Sequence, residues 1–418
     1  MNKYVAVLKE EMLPAMGCTE PICLAYAAAK AREVLGLMPE KVTVLASGNI
    51  IKNVKSVIVP NTDGQKGIQA SVAAGIVAGD AGKALEVIAN VTSLQKEKIR
   101  DYMAVTPIEL RHANCKDQLD VTIIVENGNH SAEVRIVKYH TNIVTIKKDG
   151  EFILKNDVSD TEEKSFTDRT FLTVDGIVDF ADAVDIEDIR DLMELQVKYN
   201  MAIAEEGLKN KWGANIGGIL LKYCGNDVRT KARAYAAAGS DARMNGCEMP
   251  VVINSGSGNQ GMTVCLPIVV YAREYNIPEE RMLRALVVSN LIAVHLKTPI
   301  GRLSAYCGAV SAGCAAACGI AYMLEGTCEA VSQTLSNSIA IASGIVCDGA
   351  KASCAAKISA SVDAGLIGYE MYKEGRRFAN GDGLVGNNVE KTIENIGLLG
   401  SVGMKETDSE IIDIMVNN

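Results

Sequence analysis

The most constraining feature of the sequence is a change in the period of its apolar residues near residue 155. Between residues 105 and 154, apolar and polar residues alternate, and Asn127-Gly128-Asn129 and Lys148-Asp149-Gly150 provide turns. Alternation with a period of two, interrupted by glycine-containing turns, is typical of antiparallel strands. We therefore expect an antiparallel meander in this part of the chain. Its predicted strands are 121–125, 132–137 and 143–146.

The chain before the meander mixes helix and strand signals. Residues 21–35 and 67–78 have the apolar spacing of helices, and residues 41–46 alternate like a strand. Together with the meander, these segments predict a small N-terminal α+β domain with an antiparallel sheet, over residues 1–160.

The chain after the meander shows no further alternation. The stretch 155–169 is polar and charged, which suits a linker between domains. Residues 170–418 then have helical spacing and predict a larger all-α helical domain, so the fold class is α+β. The predicted helices are 186–206, 227–244, 261–275, 278–296, 305–324, 327–343 and 354–373.

Composition and charge argue against several classes of protein. The 418 residues suffice for two or three domains, each with its own core. The net charge of −9 and the lack of a basic stripe argue against nucleic acid as a partner.

Charges interrupt residues 1–11 before a secretory apolar core could form, so we expect a cytoplasmic protein. The apolar segment 303–324 is rich in Ala and Gly, which predicts a buried core helix and no membrane partner. Buried apolar helices are compatible with a homodimer.

Twelve cysteines in a reducing compartment indicate packing, metal binding or catalysis rather than disulfides. Cys347 and Cys354 flank a short polar stretch, and Cys307 lies forty residues upstream of the first. Thiolates are the ligands that zinc and iron–sulfur clusters select, and three of them would leave one metal atom open to substrate. The alternative is packing, because free cysteine behaves as a small buried hydrophobe and this spacing matches no standard zinc or ferredoxin pattern.

Two further cysteines, Cys314 and Cys318, share a stripe of the predicted helix with Cys307. The rise from Cys307 to Cys314 is roughly 10 Å, too far for both to bind one small cluster. We therefore predict that Cys314 and Cys318 are packing residues.

A glycine-rich loop at 254–261 precedes a predicted helix. Glycines allow close approach of the backbone, and N–H groups at a helix start stabilise an anion, so the loop predicts a site for a substrate carboxylate. The alternative is an ordinary helix entry with an N-cap. The predicted binding residues are Ser255, Ser257 and Asn259, with Ser47 and Asn49 as secondary candidates from the first domain.

A second glycine loop, residues 17–21, places Cys18 just before Pro21 at a helix start. Helix N-termini lower the pKa of a thiol, so Cys18 is predicted to be a reactive thiolate. The alternative is a cysteine near the cap without a role.

Four motifs occur in the order found in a known family. They are Gly-Cys-Thr-Glu-Pro at 17–21, Ser-Gly-Ser-Gly-Asn-Gln-Gly at 255–261, Ser-Ala-Tyr-Cys-Gly-Ala at 304–309 and Val-Cys-Asp-Gly-Ala-Lys-Ala-Ser-Cys at 346–354. Through these motifs nearly the whole chain resembles the L-cysteine desulfidase family, which is related to the iron–sulfur L-serine dehydratases.

The resemblance implies that Cys307, Cys347 and Cys354 bind a 4Fe–4S cluster in the helical catalytic domain. It also implies that Cys18, in the α+β domain, is the catalytic base. The chain departs from the dehydratases at Gly349, where they have proline, and in its shorter gap of seven residues between the last two cysteines. Their Ser-Ser-His-Thr loop is replaced here by Gly-Cys-Thr-Glu, which favours the desulfidase branch.

The resulting hypothesis is a lyase that converts the small amino acid L-cysteine to hydrogen sulfide, ammonia and pyruvate. L-serine is the alternative substrate. An open iron would polarise the leaving group while a base removes the α-proton. A pyridoxal-phosphate β-eliminase competes, although no run of three glycines is available for its phosphate. A redox or metabolite sensor is a non-enzymatic alternative, for which the sequence contains no visible output element.

Overall fold

A computed structural model describes residues 2–113, 115, 117–156, 167–301 and 303–417. The elements of the first part are α1 (Lys3–Glu11), β1 (Pro14–Met16), α2 (Thr19–Leu35), β2 (Lys41–Ala46), α3 (Gly48–Val54), α4 (Gly67–Ala78), α5 (Ser93–Val105), β3 (Ile108–His112), β4 (Asp120–Asn127), β5 (His130–Val137), β6 (Ile143–Lys148) and β7 (Glu151–Lys155). Those of the second part are α6 (Val174–Ala183), α7 (Arg190–Lys209), α8 (Ile216–Tyr223), α9 (Val228–Met244), β8 (Pro250–Val252), α10 (Gly258–Glu274), α11 (Glu279–Ile300), α12 (Gly308–Glu325), α13 (Cys328–Ala342), α14 (Cys354–Lys373), α15 (Val389–Leu398) and α16 (Lys405–Asn417).

The first part is built on a six-stranded sheet with the order β3-β2-β4-β5-β6-β7. Strands β4 to β7 form the antiparallel meander, β4 also pairs antiparallel with β2, and β2 pairs parallel with β3. Val121, Ile123 and Val125 of β4 are fully buried, and α2 packs on β4 and β5. The predicted meander is confirmed, because the period of two places these apolar side chains on one face of the sheet.

The second part is a bundle of helices around α12, which packs against α10, α11, α13 and α14. Small residues allow these helices to lie close together. A Cβ atom at Gly313 of α12 would lie 2.5 Å from the backbone of Ser361 in α14, so only glycine permits this contact. The predicted α+β class with a larger helical part is confirmed.

Several helices begin at different residues from those predicted. α10 begins at Gly258, three residues early, because Ser257 is its N-cap and accepts a hydrogen bond from the Gln260 N–H. α12 begins at Gly308 instead of 305, with Cys307 as its N-cap. α7 begins at Arg190, because a 3₁₀ turn occupies residues 186–188. Helices that the sequence patterns did not single out are α1, α3, α5, α6, α8, α15 and α16.

The expectation that no strand follows residue 170 is wrong. β8 pairs antiparallel with β1, and Pro14 lies opposite Val252. A strand of three residues is too short to show alternation, so its pairing partner alone reveals it. Helix α16 likewise packs against α3 of the first part. Most of the predicted linker, residues 157–166, lies outside the described residues.

Among the described residues, α11 and α12 are long and apolar enough, by composition, to cross a membrane. Within the protein, however, 78% and 83% of their apolar windows are buried. Helices with this burial form the core of a bundle. The apolar segment predicted as a core helix at 303–324 is found as α12.

Candidate active site

The two parts of the chain meet around one cavity of about 110 Å³. It is lined from the first part by the start of α2 and by α3, and from the second part by the end of α9, the loop before α10 and the start of α12. Cys18, Cys307, Cys347 and Cys354, four of the predicted functional residues, line it together. The cavity is therefore the candidate site.

A short β-bridge brings Cys307 and Cys347 together. Tyr306 pairs antiparallel with Val346, the Cys307 N–H donates to the Ile345 carbonyl at 3.2 Å, and the Cys347 N–H donates to the Ala305 carbonyl at 2.7 Å. Cys354 reaches the same cavity as the first residue of α14. The structure thus assembles the three thiols that the sequence proposed as a group.

Lysine side chains hold the loop between the second and third of these cysteines. Lys357 donates to the Val346 carbonyl at 2.9 Å and pairs with Asp348, while Lys351 donates to the Gly349 carbonyl at 3.2 Å. Gly349 adopts a φ of 90°, and its position lies against the backbone of Lys52 in α3. The glycine that stands in place of proline therefore lets this loop contact the first part of the chain.

Burial favours the protonated form of two of these thiols, Cys307 and Cys354. It raises the pKa of Cys307 to about 12, and the neighbouring Cys347 and Cys354 raise that pKa further, whereas Lys357 lowers it. Burial also raises the pKa of Cys354. Deprotonation of Cys307 and Cys354 therefore requires a compensating cation, which metal coordination supplies.

The donor set fits an iron–sulfur cluster held by three cysteines. In the ranges described above, no three Cys, His, Asp or Glu side chains are grouped to hold a single metal ion. A four-iron cluster has a different requirement, since each thiolate binds a separate iron. Cys314 and Cys318 lie fully buried inside α12 and do not line the cavity.

Cys18 lies at the N-cap of α2 and lines the cavity from the first part of the chain. The expectation that the helix start lowers its pKa is wrong. Burial and the Glu20 carboxylate raise the pKa of Cys18 well above its ordinary value, and Arg243 only partly opposes them. The Cys18 thiol donates a hydrogen bond to Glu20 Oε2 at 3.1 Å, so it is protonated and its proton points at a carboxylate.

Glu20 is the hydrogen-bond acceptor of this segment. Besides Cys18, the Thr19 hydroxyl donates to its Oε2 at 3.1 Å and Asn53 Nδ2 donates to its Oε1 at 3.1 Å. Burial alone would raise the pKa of Glu20, but the charge of His140 and the bond from Cys18 outweigh it and lower that pKa. An ionised carboxylate therefore lies next to a neutral thiol.

The loop before α10 lies beside this pair. The Thr19 hydroxyl donates to the Gly256 carbonyl at 2.8 Å, which joins the loop to α2. The loop turns through left-handed residues, with a φ of 49° at Ser255 and 78° at Gly256. The three predicted loop residues that line the cavity are Ser255, Ser257 and Asn259.

The two secondary candidates in the first part lie in different environments. Asn49 lines the cavity. Ser47 does not, because its hydroxyl donates to the Gln118 carbonyl at 2.6 Å and its side chain is buried in the first part. A hydroxyl engaged in this way is not available to a ligand, so the structure differs from the prediction at Ser47.

Arg243 is one of the cavity residues that the sequence patterns did not reveal. It lies near the end of α9 and is only 2% exposed. Nη1 donates to Asn259 Oδ1 at 3.2 Å, whereas Nε and Nη2 have no hydrogen-bond partner among the described residues. Its signal in the sequence was a long cation in a run of otherwise small residues, Ala-Ala-Ala-Gly-Ser-Asp-Ala-Arg. The other cavity residues missed by sequence reasoning include Lys52, Asn53, His140, Gln260 and Lys297.

Comparison with known proteins identifies the family of the chain. A sequence model described as the serine dehydratase alpha chain matches residues 82–413. The chain belongs to the serine dehydratase alpha chain family. This is a family of lyases and generally depends on an iron–sulfur cluster. The expected relation to the serine dehydratases is therefore confirmed.

Similar curated proteins extend over the full length of the chain. A UPF0597 protein of Desulfitobacterium hafniense is 56% identical over 99% of this chain and 96% of its own. UPF0597 proteins of Lachnoclostridium phytofermentans and Finegoldia magna are 48% and 47% identical and match over 100% of both chains. Their names state no substrate, so the choice of substrate depends on the site.

Proposed function

We propose that the protein is an iron–sulfur-dependent lyase that converts L-cysteine to hydrogen sulfide, ammonia and pyruvate. The observation that supports this most directly is one cavity lined by three grouped cysteines from the helical part and a fourth, separate cysteine from the α+β part. The first group suits a cluster, and the fourth thiol lines the same cavity beside a carboxylate. We also propose that the protein acts in the cytoplasm.

Cys307, Cys347 and Cys354 would hold the cluster. When bound with one iron open, such a cluster acts as a Lewis acid that polarises the leaving sulfur. The protein positions these ligands through the Tyr306–Val346 bridge and the start of α14. Cys307 is buried, and Cys347 and Cys354 are half-buried, which limits the access of water to these side chains.

Cys18 is proposed as the base that removes the α-proton. Because the thiol is neutral, its proton must first move to Glu20, to whose Oε2 it already donates. The raised pKa of Cys18 and the lowered pKa of Glu20 both oppose this transfer, so the thiolate is a minor species. The resulting thiolate faces the cavity and takes the α-proton of the substrate. The C–S bond to the leaving group then breaks, and hydrosulfide departs. The aminoacrylate product tautomerises to an imine, which water hydrolyses to pyruvate and ammonia.

The loop from Ser255 to Asn259 is proposed to bind the substrate carboxylate at the start of α10. This helix has seventeen residues, and its first N–H groups lie next to the cavity. Backbone donors and the helix dipole stabilise a carboxylate at this position. The substrate would therefore lie between the loop and α3, with its β-carbon toward the cysteines.

L-serine is the second candidate substrate, because the matching family is described as the serine dehydratase alpha chain. Serine differs from cysteine only in the leaving atom, and iron binds both oxygen and sulfur. The feature that favours L-cysteine is the loop at residues 17–20, where Gly-Cys-Thr-Glu replaces the Ser-Ser-His-Thr of the dehydratases.

The test is a side-by-side anaerobic assay of reconstituted protein with L-cysteine and L-serine. Pyruvate is measured with both substrates, and sulfide is measured with L-cysteine. We expect iron to bind, the protein to become visibly coloured, and kcat/KM to be greater for L-cysteine. Greater kcat/KM for L-serine would favour the dehydratase. Protein that binds no iron, or that binds iron and forms no pyruvate from either substrate, would contradict the proposal.

A further inference from the structure

We infer that Arg243 binds the substrate carboxylate while Asn49 and Asn53 accept hydrogen bonds from the substrate ammonium, so that the cavity selects an α-amino acid by both of its charged groups. The inference deepens the proposed function and rests on it, since it concerns the substrate of the same site. It adds to the loop at α10 a side chain that neither the motifs nor the family comparison assign.

The first observation is the unpartnered guanidinium of Arg243. An arginine that is 2% exposed normally has an acidic partner or a full set of acceptors. Within the described part of the chain, Arg243 has one acceptor, the amide oxygen of Asn259, and its Nε and Nη2 groups are buried without acceptors. A guanidinium in this state favours a ligand that brings two oxygens, which is the geometry of a carboxylate.

The second observation is the place of the guanidinium against α10. A Cβ atom on Gly258, the first residue of α10, would lie 2.3 Å from Arg243 Nε. Glycine at 258 therefore allows the arginine to lie against the helix start. The positive end of the helix dipole and a permanent cation then face the same cavity. Together they favour an anion more strongly than either does alone.

The third observation concerns two amide oxygens on α3. Asn49 Nδ2 donates to Asp408 Oδ2 at 2.9 Å, and Asn53 Nδ2 donates to Glu20 Oε1 at 3.1 Å. Since carboxylates only accept, these contacts fix the orientation of both amides. The oxygens that remain, Asn49 Oδ1 and Asn53 Oδ1, are buried without a donor among the described residues.

These two oxygens lie four residues apart in α3, and both side chains line the cavity. Residues with this spacing share one face of a helix. Two neighbouring acceptors without donors favour a ligand with several N–H groups, such as an ammonium. One cavity of about 110 Å³ thus contains a guanidinium without a full set of acceptors and two amide oxygens without donors. These groups are complementary to the carboxylate and the ammonium of a small zwitterion.

The same contacts define the role of Asn259. Its Oδ1 accepts from Arg243 Nη1, and its Nδ2 lies 3.5 Å from the Met244 sulfur. We therefore assign Asn259 as a positioning residue that orients the guanidinium. Its replacement should weaken binding through Arg243, and it should add little to the loss in a protein that already lacks Arg243.

The experiment measures binding of L-alanine to the anaerobically reconstituted protein by isothermal titration calorimetry. L-alanine has both charged groups but no leaving group, so it reports recognition without turnover. Propionate lacks the ammonium, and ethylamine lacks the carboxylate. We expect L-alanine to bind more tightly than either fragment. Arg243→Gln should raise its Kd about 10- to 100-fold, as expected for loss of charge-assisted hydrogen bonds. Asn53→Leu should weaken binding of L-alanine but not of propionate.

Arg233→Gln is the matched control, because Arg233 lies on the same helix and pairs with Asp363 outside the cavity. It should leave the Kd of L-alanine unchanged. Arg243→Lys keeps the charge but loses the fork of donors, so it should also weaken binding, and it serves as the second variant if the glutamine variant does not fold by circular dichroism. The inference is overturned if L-alanine does not bind to the wild-type protein, or if the Arg243 variants bind it with the same Kd as the wild-type protein.

Turnover separates this inference from the proposed function. If the Arg243→Gln variant has the same KM for L-cysteine as the wild-type protein, the inference is overturned and the proposed lyase function stands. Conversely, iron-loaded protein that forms no pyruvate but binds L-alanine through Arg243 would contradict the lyase and support the recognition of an amino acid.

Discussion

Replacing Asp408 with alanine should destabilise the protein strongly, although this residue belongs to α16 near the end of the described chain. Asp408 pairs with Lys52 of α3, and the two side chains are 12% and 1% exposed. It also accepts from Asn49 Nδ2 at 2.9 Å. Its loss therefore leaves a buried ammonium and a buried amide donor without an acceptor.

Removing one partner of a buried ion pair costs about 3–5 kcal/mol. The entropy of unfolding is roughly 2.1 cal/mol/K per residue, which gives about 0.9 kcal/mol/K for 418 residues that unfold together. The expected decrease in Tm is therefore about 3–6 °C. Replacing both partners by apolar residues, as in Lys52→Met with Asp408→Leu, should restore much of this loss, because no charge is then buried alone.

Differential scanning calorimetry of the variants tests this expectation. The matched control is Glu394→Ala, which breaks a pair with Lys391 whose side chains are 66% and 53% exposed. Such exposed pairs contribute about 0–1 kcal/mol, so the control should change Tm by roughly 1 °C or less. A Tm for Asp408→Ala within 1 °C of that of the control would refute the reasoning that the buried pair holds α16 on α3.

Four further predictions concern the site. Alanine variants of the proposed ligands should each lose iron and activity together, measured by iron analysis and pyruvate formation, whereas Cys314→Ala should keep both. The ligand positions are Cys307, Cys347 and Cys354. Cys18→Ala should keep its iron and visible spectrum but lose turnover by about 10²–10⁴-fold; iron loss would instead make it a ligand. Because the pKa of Cys18 is raised well above its ordinary value, its small thiolate fraction is still growing between pH 7 and 9. Alkylation of Cys18 by iodoacetamide should therefore accelerate over this range and stay slower than alkylation of the exposed Cys224. Asn259→Ala should raise KM more than it lowers kcat, and an unchanged KM would place the carboxylate elsewhere.

The sequence predicted those parts of the fold that local spacing determines. Helices α4 and α14 have the predicted bounds, and the meander has its predicted turns. Strand β8 could not be predicted in this way, because three residues gain strand character only from pairing with β1. The grouping of Cys307 with Cys347 was inferred from motifs, but the bridge between Tyr306 and Val346 that produces it is a long-range contact.

Electrostatic properties were the least predictable from the sequence. The low pKa expected for Cys18 follows from a helix start in water, whereas the folded site removes water and adds Glu20 as a hydrogen-bonded neighbour. Arg243 was missed for a related reason. Its importance depends on which of its N–H groups lack acceptors after folding, and the order of residues along α9 contains no such information.

The contact between α16 and α3 has a consequence for how the protein is made. Asn49 and Lys52, two residues of the cavity wall, obtain their partner from position 408. During synthesis from the N-terminus, the first part of the chain can fold on the ribosome long before that residue exists. The wall of the cavity is thus completed only after position 408 has been translated. The nascent chain would offer an unfinished pocket to an iron–sulfur cluster, so we expect insertion of the proposed cluster to follow synthesis of α16.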